Sequence, residues 1–484
     1  MTKPSEQLYL SYAKVNSEGK GIRPSYLIDT VRKLFPAMSV EYPQNRSRLE
    51  QIEGRQEGAR YLAEELREYV EGTLPEEERQ DFYLMYRAYE ADAAGRDLLT
   101  RAAFRRYRES GLSRIVARAL YGQQLENSVS RLETYAACAC RHFLQYGLSL
   151  QEREEFGFEA SDMGTVYHAV LENFAGKLAE SNLTWWDFTE DYAATYGETV
   201  LYSSARNEYA ITRMSRILTR TVLTLQKHLK QGSFQPDDYE LSFRFAEDLD
   251  SIHVDLSEDE KMHLQGRIDV SEDAEHVYVK VIDYKSGNRK FDLAALYYGL
   301  QLQLVVYMNA AMEMESRKHP DKEIVPAALL YYHIDDPTIE TPVELTDEQI
   351  NEQILAKLRM NGVVNSDPGV VERLDRYMQD KSVVIPVEKK KDGSFSARSG
   401  VLSREEMQLI SSYVDAKIRS IGREILDGKI AANPYEKGNE EACTYCAYKK
   451  VCGFDGSIPG YEKRQLEDLD KQALMQRMQK TVEA

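Results

Sequence analysis

The stretch Val277-Tyr278-Val279-Lys280-Val281-Ile282-Asp283-Tyr284-Lys285 decides the fold. Its β-branched and aromatic run reads as a strand. A strand sends alternate side chains to one face, so Asp283 and Lys285 share a face and Tyr284 lies on the other. An acid and an amine held side by side at a strand end can bind a divalent metal and position a water.

Outward from this run, Gly266-Arg267-Ile268-Asp269 closes the preceding apolar stretch. With a turn centred near Glu275, Asp269 faces Val281 across a hairpin and Asp283 becomes its diagonal neighbour on the same face. That register would bring both carboxylates onto one ion, and hard oxygen ligands suit Mg²⁺ or Mn²⁺. The competing reading is a hairpin with ordinary edge charges. Strands are expected over 239–245, 262–270, 277–283 and 327–333, with a helix over 293–314 between the last two. Upstream, Ser130-Arg131-Leu132-Glu133 reads as a capping box. A helix follows from Gly164 to about Leu178, and helical pattern continues to Leu229. Another runs from Ser403 to about Leu426. This order predicts an α/β fold, a small mixed sheet flanked by helices.

The chain has 484 residues, enough for two to four domains. A net charge of −18 argues against nonspecific binding to nucleic acid. Charge is uneven, however. Between residues 210 and 230 stand Arg213, Arg216, Arg220, Lys227 and Lys230 with no acid, and the first four fall on one helical stripe. Such a stripe is either a solvated face or a set of phosphate contacts. Lys389-Lys390-Lys391-Asp392-Gly393 forms a basic turn. No apolar run approaches the roughly 18 residues of a membrane helix, and the start shows no charged-then-apolar leader. The expectation is a soluble cytoplasmic protein. Residues 1–125 read as mostly helical after a short strand at 8–12. Gly19-Lys20-Gly21 has no second glycine at the offset a phosphate loop needs and no Ser or Thr after the lysine, so ATP hydrolysis through a P-loop is not expected from this chain.

Five cysteines in a cytosolic chain are poor candidates for disulfides. Cys138 and Cys140 lie early, and Cys443, Cys446 and Cys452 form a C-x2-C-x5-C cluster. Four such thiolates could hold zinc, although one-plus-three spacing leans towards iron–sulfur. Either site would tie residue 138 to residue 443. His168 sits on the Gly164 helix, where a lone histidine is commonly structural, and Glu172 one turn on could orient it. Gln303 and Tyr307, also one turn apart, could hold a phosphate or simply pack the core.

Taken together, G-T-x-x-H at 164–168, G-R-I-D at 266–269, D-Y-K-S-G at 283–287 and Q-x-x-x-Y at 303–307 resemble the RecB-like branch of the PD-(D/E)XK nuclease superfamily. The resemblance implies a restriction-endonuclease-like fold. It makes Asp269 and Asp283 metal-binding carboxylates, Lys285 the catalytic lysine and His168 an additional metal ligand. The Tyr284 carbonyl would add a further ligand, and Gln303 and Tyr307 match the Gln-Tyr motif. Tyr135-Ala136-Ala137-Cys138, with the late cysteine cluster, is similar to the AddB family of bacterial helicase–nuclease subunits. That likeness implies a 4Fe-4S cluster on Cys138, Cys443, Cys446 and Cys452, with Cys140 spare. Leu8–Tyr12 and Arg23–Ile28 look like the end of the family's helicase-like lobe, although AddB proteins are much longer.

The expected domains are a helicase-like remnant over 1–125, a nuclease domain closed by an iron–sulfur staple over 126–460, and a charged helical tail over 461–484. The expected function is a Mg²⁺-dependent single-strand DNA exonuclease module that works with an AddA-like helicase partner in double-strand-break resection. Arg213, Arg216, Arg220 and the Lys389–Lys391 turn would be backbone contacts to DNA. The alternatives are a stand-alone RecB-like iron–sulfur exonuclease and a non-catalytic DNA-binding scaffold.

Overall fold

In the computed structural model, residues 10–15, 20–40, 42, 49–90, 93–122, 128–151, 167, 205–240, 263–287, 289–341 and 345–483 are described. They divide into two compact units, Met1–Arg106 and Tyr107–Ala484.

The first unit is helical. Helices Arg55–Glu71, Arg79–Glu90 and Ala93–Ala103 pack Tyr61, Leu62, Phe82, Met85 and Leu99 into a small core. The strand expected at 8–12 is not seen at residues 10–12, which carry no regular structure.

The second unit is built on a mixed sheet of six strands in the order β1 (Gln235–Glu240), β2 (His263–Glu272), β3 (His276–Lys285), β4 (Glu323–His333), β5 (Asn361–Asn365) and β6 (Val401–Leu402). β1 to β3 run antiparallel in sequence. β3 and β4 are parallel, which requires a crossover. Helices Leu293–Tyr297 and Gln303–Lys318 supply it. The single helix expected over 293–314 is broken between them, where Gly299 takes φ +83°. β3 and β4 are buried along almost their whole length, which explains their near-continuous apolar sequence.

Each face of the sheet has its own core. On one lie Val279, Val281, Leu329 and Tyr331, covered by helices Gln303–Lys318, Val129–Ala137 and Arg404–Leu426. On the other lie Ile282, Tyr284, Leu330 and Tyr332, packed with Leu218, Val222 and Leu225 of helix Ala205–Gln231. Ser403 begins the Arg404–Leu426 helix with a complete capping box to Glu406.

Two boundaries differ from the sequence reading. The chain divides at 106/107 rather than near 125, and helix Arg114–Tyr121 packs on the Arg404–Leu426 helix. Leu112 N donates to Gly428 O, and Gly428 has φ +78° with no room for a Cβ beside the Leu112 carbonyl. The charged tail also belongs to the core. Its helix Lys471–Glu483 buries Leu474 and Met478 against the same long helix.

Candidate active site

The register of the β2–β3 hairpin sets the site. Asp269 pairs with Lys280, and Asp283 pairs with Gly266. This is one residue away from the expected Asp269–Val281 pairing, and a slip of one residue moves a side chain to the opposite face. Asp269 and Asp283 therefore lie on opposite faces, which corrects the expectation that they share an ion. The cause is the turn. Asp273 Oδ1 accepts from Glu275 N at 3.0 Å and His276 N at 2.8 Å, and this Asx turn centres the hairpin ahead of Glu275.

On its own face Asp269 is fully buried among cations. Arg267 Nη2 donates to its Oδ2 at 2.9 Å, and Lys280 Nζ lies 2.8 Å from the same oxygen. Burial pushes its carboxyl up, but Arg267 and Lys280 outweigh this and hold it below the usual carboxylate range. His228 is buried nearby, and desolvation together with those two cations drives its pKa down to about 3. This is a fixed structural charge cluster.

On the opposite face, Asp283 and Lys285 stand together as expected, with Lys285 Nζ 2.8 Å from Asp283 Oδ2. Lys285 Nζ donates to Gln303 Oε1 at 2.9 Å, and Gln303 Nε2 donates to Tyr307 Oη at 2.6 Å. Gln303, itself held by Tyr307, thus holds the lysine. Asp283 has no exposed surface, and neither of its oxygens has an aligned hydrogen-bond donor among the described residues. Burial, opposed by Lys285 and reinforced by the neighbouring Glu133 charge, raises its pKa to about 6.

Glu133 joins this site without a sequence motif to announce it. The helix Val129–Ala137 is capped by Ser128, whose Oγ accepts from Arg131 N, and not by Ser130. Glu133 is therefore no capping-box partner. Its Oε1 accepts from Leu302 N at 2.8 Å and Gln303 N at 3.2 Å, and Arg289 Nη2 meets its Oε2 at 3.3 Å. It caps the Gln303 helix from another element. Burial pushes its carboxyl up against Arg289, the two backbone donors and Lys285. An acid beside the buried stripe of Leu132, Tyr135 and Ala136 is the signal that could have found it.

The buried Asp283 carboxylate, with the Lys285 ammonium beside Oδ2 and no aligned donor among the described residues, fits a bound cation. Asp269, already neutralised across the sheet, does not fit the same ion. The Tyr284 backbone lies in the β3–β4 ladder opposite Tyr332, with its side chain in the other core. His168 and Glu172 lie outside the described residues. Within the basic stripe, Arg216 Nη2 reaches Asp336 Oδ2 at 2.6 Å and Arg220 binds the same carboxylate. Arg213 and Lys227 are exposed, and Lys390 and Lys391 sit on an exposed turn.

All five cysteines line one cavity, with Leu144, Ala432, Pro434 and Phe454 among the other walls. Cys140 N donates to Ala431 O and Ala139 N to Asn433 Oδ1, which ties the early cysteines to the late segment. Burial pushes the Cys140 thiol up to about 12 and the Cys443 thiol up to about 11, so both are protonated in the metal-free chain. The donor set fits a thiolate-bound metal or cluster, although among the described residues no three His, Cys, Asp or Glu are arranged to hold an ion.

Residues 126–453 match the PD-(D/E)XK nuclease superfamily, and the chain belongs to it. Over nearly its whole length the chain is also similar to proteins named as one subunit of an ATP-dependent helicase/deoxyribonuclease. It is 40% identical to that of Lachnoclostridium phytofermentans, covering 98% of this chain and 42% of the relative. It is 34% identical to that of Desulforamulus reducens over 98% and 43%, and 32% identical to that of Alkaliphilus oremlandii over 99% and 43%. The chain spans less than half the length of these relatives. No helix among the described residues is long and apolar enough to cross a membrane.

Proposed function

We propose that the second unit is a Mg²⁺- or Mn²⁺-dependent nuclease module that hydrolyses single-stranded DNA within a two-subunit helicase–nuclease. The observation that carries this reading is the chain Asp283–Lys285–Gln303–Tyr307 around a buried carboxylate without aligned donors. Asp283 would hold the ion, with Glu133 rather than Asp269 as the second carboxylate on that face, and with His168 and the Tyr284 carbonyl as further ligands. A divalent ion there supplies Lewis-acid polarisation of the phosphate and a more acidic water. Lys285 orients the attacking water and stabilises charge developing on the phosphate. Gln303, held by Tyr307, fixes the lysine, and Glu133 fixes Gln303.

The relatives' names support DNA as substrate and a partner that supplies ATP-driven unwinding, an AddA-like subunit. The convergence of five cysteines on one cavity supports a 4Fe-4S cluster on Cys138, Cys443, Cys446 and Cys452, with Cys140 spare. Such a cluster joins two segments far apart in sequence, a stabilising role.

A second reading rests on Gly266. The β2 residue facing Asp283 has no side chain, as a DNA-binding scaffold without catalysis could tolerate. Incubating the anaerobically purified chain with single-stranded DNA and Mg²⁺, beside Asp283→Ala, separates the two. Cleavage lost in the variant supports the nuclease, and equal cleavage in both contradicts the Asp283 site. An unaltered chain that binds DNA without cutting it favours the scaffold.

A further inference from the structure

We propose that a groove on the second unit, lined by Arg131, Arg141, Gln145, Tyr146, Tyr445 and Tyr448, binds single-stranded nucleic acid through base stacking and phosphate contacts. The proposal rests on the reading that a DNA strand is this unit's substrate, and it assigns that strand a binding platform outside the Asp283 site.

The groove has an open volume of ≈ 740 Å³. Its described lining contains two arginines, three tyrosines and no acid, in a chain whose net charge is −18. Such a local reversal of sign marks a surface for an anion. Tyr445 is 94% exposed, yet it sits on the cysteine-bearing loop between Cys443 and Cys446, which is anchored by backbone bonds at both cysteines' turn. A tyrosine ring left in water on a pinned loop is a ready stacking surface, since every unpaired base has a π face.

The remaining side chains are arranged to complement it. The Arg131 guanidinium lies over the Tyr146 ring, 5.0 Å from its centroid. Gln145 Nε2 donates to Tyr146 Oη at 3.1 Å, and Tyr448 Oη donates to Leu150 O at 2.7 Å. The Tyr146 and Tyr448 rings are therefore held in place before any ligand arrives, which lowers the entropy cost of binding. Arg141 Nε and Gln145 Oε1 are buried without hydrogen-bond partners among the described residues. Both residues are nonetheless only half-buried and line the groove, so their remaining surface faces a strand's phosphates and base edges.

The groove is also well placed. Arg131 and Glu133 lie on one helix, Val129–Ala137, and residues two apart on a helix point roughly 200° apart. The same helix thus presents Glu133 to the Asp283 site and Arg131 to the groove. Stacking on exposed rings selects unpaired bases over a duplex, whose bases are already stacked.

The test is fluorescence anisotropy of the full chain, purified anaerobically, with a labelled oligo-dT strand in EDTA. Tyr445→Ala, at a position whose side chain packs against little, should weaken binding by about 5- to 150-fold, and Tyr445→Trp should restore it. Arg141→Ala should weaken binding and reduce the slope of log affinity against log salt by about 0.7. Wild-type affinity in both Tyr445→Ala and Arg141→Ala would overturn the proposal, as would equal affinity of the unaltered chain for a blunt duplex or no measurable binding at all. Without divalent metal the result is independent of whether the Asp283 site cuts DNA.

Discussion

Asp283 faces Gly266 across the β2–β3 ladder, so the strand position best placed to share an ion with it carries no side chain. Directly opposed residues have Cβ atoms about 4.5–5.5 Å apart, which is within reach of one cation. Gly266→Asp should therefore add a ligand. Calorimetric titration with Mn²⁺ should show at least ~10-fold tighter binding, equivalent to about 1.4 kcal/mol. Unchanged affinity would mean that this position does not reach the ion.

Asp269 has the opposite prediction. It is fully buried against Arg267 and Lys280, and removing one partner of a buried ion cluster costs about 3–5 kcal/mol. Asp269→Asn should lower stability by an amount of that order in denaturant titration, while Mn²⁺ affinity of the folded protein changes less than about twofold. Loss of metal binding without loss of stability would return Asp269 to the ion.

The pH dependence of stability tests the burial of Asp283. Its folded pKa, raised to about 6, lies above the ordinary value of 3.8. The folded state then binds more protons than the unfolded state between those values, so stability falls as pH rises through this window. Below about pH 4 both states are protonated and no penalty remains, and above about pH 6 it is complete. In EDTA, Asp283→Asn should be more stable than the unaltered chain at pH 7.5 by on the order of 1–3 kcal/mol, and the gain should vanish near pH 4. A gain that persists at pH 4 would trace the effect to something other than ionisation.

The cysteine cavity predicts bound iron and its consequence. Anaerobic protein should carry four irons per chain, as for a cubane cluster, and Cys443→Ser should lose them and melt several degrees lower. Cys140→Ser should keep them. Loading releases the protons that burial now retains on the Cys138 and Cys443 thiols, so reconstitution should quicken with rising pH. A colourless, zinc-containing preparation would contradict the cluster.

Much of this is legible in sequence where burial dictates composition. β3 and β4 read as strands because both faces are covered, and Ser403 with Glu406 announces the long helix it caps. Gln303 and Tyr307, one turn apart, do lie together, with Gln303 accepting from Lys285 and donating to Tyr307. β5, only Asn361–Asn365, and the two-residue β6 are too short to leave a period. The hairpin register departs from the sequence reading because it depends on a side-chain-capped turn at Asp273, a matter of one residue that strand pattern alone does not resolve. Glu133 is hidden by a false capping box, since Ser128 and Ser130 offer the same local chemistry and only packing chooses between them. His168 lies outside the described residues, so its place at the ion belongs to the proposal.

The most direct measurement is the initial rate of cleavage of a labelled single strand in Mg²⁺ by the anaerobically purified chain, beside Asp283→Ala and Lys285→Ala. Both variants should lose about 100-fold or more, the scale of removing one transition-state electrostatic group. Mn²⁺ should still bind Lys285→Ala but not Asp283→Ala. Equal rates in the unaltered chain and Asp283→Ala would contradict the account.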